Sequence, residues 1–277
     1  KQGGLRLNLG GNLTQKLTFN TSISANLKTN NMMAGGNTKG GATGSITRSA
    51  IDSAPFEMPP DDPTLAQNDE LRTTALAWLT DYADLADEKS IRASADLTWN
   101  FAKGFSYVMR TGGNILMQDR TKWYDEGIWL GLNNNGYLGN SNLNSNNYTF
   151  ENLVNYNGDL GKIGKISATA GVTYDDYNWL NRNILASNFD FKGLGTKGLH
   201  MATNQTIASP SQSDYQLLSY LGRVNLSFLE SKYLVTLTAR ADGSSKFIPE
   251  NRWSLFPSAA VAWRINQEEF LNDATWV

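Results

Sequence analysis

The sequence contains no cysteine and one histidine, His200. The missing cysteine removes disulfide frameworks, thiolate metal sites and cysteine nucleophiles together. His200 lies in the polar stretch KGLHMATNQ, where a lone imidazole reads as a surface residue. Charged residues make up only 18% of the chain, below the usual share of about 25%. A net charge of −2 gives no broad basic field, which argues against nucleic acid as a partner. No apolar run approaches the roughly 18–20 residues of a membrane-spanning helix. That test leaves a β-barrel open, because barrel strands alternate and their mean hydropathy stays low.

Other chemistries find equally little material. The pairs Asp61–Asp62 and Asp175–Asp176 sit at loop or strand ends, and MPPDDP is turn-forming composition. No glycine-rich phosphate loop runs from a strand into a helix, and no metal-ligand spacing appears. The sequence thus implies no cofactor, and the reading is of a protein that is not an enzyme. Ser244 and Ser245 of the DGSS stretch have no companion histidine. They read as part of a tight turn, with Asp242 accepting local hydrogen bonds and Gly243 supplying positive φ.

What is present is alternation. Nine segments place apolar residues at every second position: LRLNLGGNL, LTFNTSISANL, IRASADLTWNF, FSYVMRTG, YTFENLVNY, ISATAGVTY, LSYLGRVNLSF, YLVTLTAR and the stretch from Trp253 to Ile265. In IRASADLTWNF, Ile91, Ala93, Ala95, Leu97, Trp99 and Phe101 oppose Arg92, Ser94, Asp96, Thr98 and Asn100. YTFENLVNY carries one exception, Asn152, and the facing of 105–117 and 148–156 stays open in either direction.

The connections alternate as well. Those at 12–16, 101–104, 159–164 and 229–232 are short, whereas 29–90, 118–146, 175–213 and 242–251 are longer. Up-and-down outer-membrane barrels have this pattern, with short periplasmic turns and longer extracellular loops. Aromatic residues gather beside the short turns: Phe19, Trp99, Phe101, Phe105, Tyr107, Tyr156, Phe228, Tyr233 and Trp263. They suit an interface girdle, and Trp253 suits the opposite boundary of the last strand. A soluble sandwich shares the alternation but has no need to collect aromatics at one end.

The segment 220–271 resembles the SusC/RagA group of TonB-dependent outer-membrane transporters. In that group a GRxNYxY strand, a KYL-type restart, an R-x-DGSSRF loop and an NRWGxFPSxxxxWRI strand follow in order. Here they stand as Leu221-Gly222-Arg223-Val224-Asn225, Lys232-Tyr233-Leu234, Arg240-Ala241-Asp242-Gly243-Ser244-Ser245-Lys246-Phe247 and Asn251-Arg252-Trp253-Ser254-Leu255-Phe256-Pro257-Ser258. Lys246 replaces the usual arginine and Ser254 the usual glycine. Residues 4–28 and 71–101 resemble earlier barrel segments of the group more loosely. The resemblance implies an all-β fold, part of a barrel of about 22 antiparallel strands closed around a plug. Residues 1–277 are then a partial barrel without plug, signal peptide or closing strands. It also implies a place in the outer membrane, a SusD-like lipoprotein partner, coupling to TonB through regions absent here, and import of an oligosaccharide or peptide.

Ligand contacts are expected in the loops. Trp123, Tyr124, Trp129, Asn133, Asn134 and Tyr137 lie in a stretch with eight asparagines between 133 and 147. Aromatic faces beside amides suit sugars or peptides; local packing of a solvated loop is the alternative. Leu71, Ala75, Trp78, Leu79, Tyr82 and Leu85 follow helical spacing over 69–89. A passive porin and a soluble carbohydrate-binding β-sandwich are the rival classes.

Overall fold

The computed structural model describes residues 1–33, 46–52 and 73–268. Asp61, Asp62 and Leu71 lie outside the described residues. Ten strands form one antiparallel sheet: β1 (Gln2–Thr14), β2 (Leu17–Asn31), β3 (Tyr82–Ala102), β4 (Phe105–Tyr124), β5 (Tyr137–Asp159), β6 (Gly164–Phe189), β7 (Ala202–Ile207), β8 (Ser211–Phe228), β9 (Tyr233–Ser244) and β10 (Trp253–Trp263). Among the described residues three short α-helices accompany them: α1 (Ile46–Asp52), α2 (Ala77–Thr80) and α3 (Trp129–Asn133). The order β1-β2-β3-β4-β5-β6-β8-β9-β10 follows the chain, with β7 set aside against β6. The nine strands on this path are the nine alternating segments of the sequence.

The register keeps one face continuous. Leu7 pairs with Ile23, Ile23 with Ala93, Ala93 with Gly113, and Gly113 with Tyr148. Farther along, Val154 pairs with Ala170, Ala170 with Gly222, Gly222 with Ala239 and Ala239 with Pro257. Because side chains alternate with period two, the apolar residues of all nine strands share one face and the polar set shares the other. This settles the facing of β4 and β5: Tyr107, Met109 and Ile115 lie with Trp99 and Leu97, as do Phe150 and Val154. Asn152 does fall on the apolar face, where it accepts a hydrogen bond from the Tyr107 hydroxyl.

The sheet is open. At one end Thr29 N donates to Lys1 O at 2.8 Å, so the odd-numbered residues of β1 bond to β2 and the even-numbered ones face the edge. At the other, Arg264 N donates to Lys232 O and Ser244 N to Arg252 O, which leaves the odd-numbered residues of β10 at the edge. Pro257 is odd-numbered, so its missing N–H takes nothing from the β9–β10 ladder.

The strands run much longer than the alternation suggests. β5 has 23 residues and β6 has 26, against about 9–11 for a tilted strand crossing a bilayer. The long connections shrink to match: the expected loop 118–146 is a gap of 125–136, and 242–251 becomes 245–252. Among the described residues of 69–89 the expected helix is limited to the four residues of α2, with Tyr82 and Leu85 already in β3. Pairing with β4 offers these residues a full ladder, which an isolated short helix cannot match.

Candidate functional site

Beyond the long-connection end of the apolar face, both sides of the sheet are covered. On one side Tyr82, Tyr124 and Tyr137 share a row and pack with Ala77, Trp78, Ile128 and Trp129 around the short helices. Trp78 meets Tyr82 edge-on at 5.3 Å and donates its indole N–H to Ser49 Oγ at 2.9 Å. On the other side Trp123, Leu138, Ala186 and Phe189 form a second cluster beneath Leu199, Met201 and Ala202. Trp123 and Phe189 meet at 4.9 Å, nearly perpendicular. Each buried ring contributes about 1.5–3 kcal/mol.

Asp84, 1% exposed, ties the rim together. It accepts Arg120 Nε at 2.7 Å, Nη2 at 2.6 Å and the Tyr82 hydroxyl at 3.0 Å. Burial first, then the neighbouring Tyr124 and Asp84, pushes the Tyr82 hydroxyl far up from its ordinary value. The Asp84 hydrogen bond raises Arg120 further, and burial lowers Lys122.

The residues expected to bind ligand in one loop are therefore dispersed. Trp123 is buried on one side of the sheet, and Tyr124, Trp129 and Tyr137 pack on the other. Asn133 is exposed at the end of α3, while Asn134 donates its amide to Leu130 O at 2.8 Å.

The polar face holds cross-strand networks. Arg110 lies 3.6 Å from both Asp96 and Glu151, its register partners on either side. Asn225 accepts from Arg223 at 3.2 Å and Thr236 at 3.0 Å. Arg240 donates to Asp242 at 2.6 Å and to the buried Ser219 at 3.0 Å.

The DGSS stretch is not the tight turn expected from its composition. Asp242, Gly243 and Ser244 end β9, and Gly243 is absent from the positive-φ residues. Its requirement for glycine is steric: an added Cβ meets the Trp253 ring at 2.7 Å. Ser245 N donates to Gln216 O at 2.9 Å and its hydroxyl accepts Gln216 N at 2.8 Å, linking this corner to β8. Arg252 contributes its carbonyl to Ser244 N at 3.1 Å.

Aromatic rings end the apolar face. At the short turns Trp99, Phe101, Phe105 and Tyr156 form a chain with centroids 4.5–5.7 Å apart. Tyr233 stacks on Trp263 at 6.4 Å, and both bond to Glu268, at 2.7 and 2.9 Å. Phe19, Tyr107 and Phe228 lie half-buried in the same region. At the opposite end Tyr220 stacks on Trp253 at 5.6 Å, and Tyr148 and Phe150 stand exposed. Sequence reasoning found the first set from its nearness to short turns and Trp253 from its place at the start of the last strand; Tyr148, Phe150 and Tyr220 escaped because β5 and β8 continue past them. Among the described residues no group of acids or histidine converges to hold a metal.

No family model matches the chain. The TonB-dependent receptor P3 of Formosa agariphila is 27% identical over 201 residues, 73% of this chain and 20% of its own. The TonB-dependent receptor SusC of Bacteroides thetaiotaomicron is 54% identical over 57 residues, 21% of this chain and 6% of its own. Among solved structures, the RagAB peptide importer in the open-open state superposes with a TM-score of 0.73 at 17% identity, over 96% of this chain and 30% of that one. The chain matches no more than about a fifth of the length of these curated relatives. By sequence the chain is similar to the SusC-type TonB-dependent receptors, and its fold is that of part of an outer-membrane β-barrel of this kind.

Proposed function

We propose that the chain is a stretch of barrel wall from a larger, TonB-dependent importer of a bulky nutrient, glycan or peptide. The observation that carries this is the unbroken pair of faces, apolar and polar, across nine registered strands. The apolar face meets lipid and the polar face lines a wet lumen. Trp253 and Trp263 end the 11-residue β10. With a rise of about 3.3 Å per residue and a tilt of about 40°, they stand about 25 Å apart along the membrane normal, the height of an apolar band. The aromatic residues at both ends act as interface anchors. Both open edges need neighbouring strands, because unpaired backbone groups in hydrocarbon cost several kcal/mol each.

The long strands raise a packed rim above the bilayer, a surface suited to a SusD-like lipoprotein partner. TonB acts through parts of the receptor outside this chain. The wall performs no covalent chemistry; it encloses a passage that opens when coupled to an energy source. The test is uptake of labelled oligosaccharides and peptides by cells with and without the full-length receptor gene. Import that disappears with the gene and with a protonophore is expected. Protonophore-insensitive entry would instead mark a passive pore, and recovery of the protein in the soluble fraction would remove the membrane reading.

A further inference from the structure

One row of the inward face keeps its charges unspent. By register Arg6, Arg92, Asn114, Asn147, Tyr177 and Tyr215 lie along one line, on β1, β3, β4, β5, β6 and β8, with Ser24 of β2 between the two arginines. Two rows nearer the short turns the charges are matched, Arg110 with Asp96 and Glu151. Here neither Arg6 nor Arg92 has a hydrogen-bond or ion-pair partner for its guanidinium among the described residues. Asn114 Oδ1 is buried and accepts no hydrogen bond among them either. At the far end the Tyr177 and Tyr215 rings are 5.3 Å apart, and Lys246 Nζ stands 4.3 Å from the Tyr215 centroid.

The surroundings do not cancel this charge. The adjoining row toward the rim carries Asn26, Ser90, Leu116, Ser145, Trp179 and Ser213, all uncharged. The adjoining row below holds a single charge, Asp175, which already accepts the Thr149 hydroxyl at 2.8 Å. From Arg92 to Tyr215 the row crosses four strand spacings, about 19 Å, long enough for an oligomer. Its height is that of Tyr148 on the outer face, where the membrane-crossing part of the wall ends.

We infer that this row is a binding subsite for an acidic oligosaccharide. Carboxylate or sulfate groups pair with Arg92 and Arg6, whose planar forks suit them. Hydroxyl groups bond to Asn114 and Asn147, and a sugar ring lies against Tyr177 and Tyr215. Amides beside two flat rings favour a sugar over an acidic peptide. This deepens the import reading and rests on it.

The test is titration of the full-length receptor in detergent with hexameric oligogalacturonate, hexameric oligomannuronate and a sulfated heparin hexasaccharide. Maltohexaose and a hexaglutamate peptide are the comparisons. At least one acidic sugar is expected to bind, more weakly as salt rises. Arg92→Gln and Tyr177→Ala should each reduce that affinity tenfold or more, with Arg92→Lys retaining part of it and the heat-modifiable mobility of the barrel unchanged. Binding by none of the three acidic sugars, affinity indifferent to both variants, or preference for maltohexaose or the peptide would each overturn the inference. Energy-dependent uptake that ignores Arg92→Gln would sink the subsite and spare the import reading. Absence of any energy-dependent uptake would sink the import reading itself.

Discussion

Gly243 stands opposite Trp253 in the β9–β10 ladder, and the indole covers the space a side chain would fill. Sequence composition points to a turn there, because Asp-Gly-Ser-Ser is turn chemistry and a glycine's neighbour across a sheet is invisible in one dimension. Gly243→Ala is expected to cost about 1–3 kcal/mol through overpacking. The cost should shrink when Trp253→Ala removes the ring, a coupling that thermal unfolding of the four-member mutant cycle in detergent measures. Additive effects would mean that the ring does not hold this glycine. Asp84 makes a second residue-scale case, since removing Arg120 leaves a carboxylate that is 1% exposed without its cation. Arg120→Met should cost about 3 kcal/mol, the low end for a buried pair because Arg120 remains a third exposed. The loss belongs to the rim, so hydrogen exchange should speed up at 82–88 and 118–124 while the membrane-crossing parts stay protected. Adding Asp84→Asn should restore much of the protection.

The strands were legible only where lipid enforces a pattern. Along β6, Ile166, Ala168, Ala170, Val172 and Tyr174 alternate with polar residues; beyond them the same outward face carries Asp176 and Asn178. Along β5 the outward residues above Tyr148 are Asn146, Asn144, Asn142 and Asn140, with Asn142 bonding to Asp119. With both faces polar, period two vanishes, and asparagine-rich sequence reads as loop although the ladder continues. The helical spacing in 69–89 misled for a related reason: Trp78, Tyr82 and Tyr124 meet across elements, not along one helix. The same difference explains the dispersed ligand residues, because Trp123 and Tyr124, adjacent in a strand, necessarily face opposite sides. An element-scale prediction follows from the lipid boundary. Ala170→Arg, outward and mid-band, should cost about 2–4 kcal/mol, whereas Asn178→Arg, outward but above the aromatic residues, should cost about 0–1. Inward Thr169→Arg should be tolerated as well. Folding equilibria in lipid vesicles read all three, and equal costs at 170 and 178 would misplace the boundary.

At the scale of the molecule, two edges and two faces decide what the sheet is. A nine-strand path with polar and apolar faces in unbroken register is a wall, and its open edges at β1 and β10 ask for more wall. The native polypeptide extracted from outer membranes should accordingly have a mass of about 90–120 kDa, as a barrel of about 22 strands with a plug requires. The motifs of 220–271 made the family legible, whereas the polar row from Arg6 to Tyr215 became visible only once register aligned residues from six strands. The most direct test of the membrane-wall account is a single-cysteine scan along β6, exploiting the absence of native cysteine from this chain. In a full-length receptor cleared of any other cysteine, nitroxide labels at 164–189 would report access to oxygen and to a water-soluble nickel chelate. The account predicts oxygen-rich, chelate-poor labels at 166, 168, 170 and 172, chelate access at the residues between them, and chelate access on the outward face again from 176. Outward labels open to the chelate along the whole strand would contradict it and return the sheet to water.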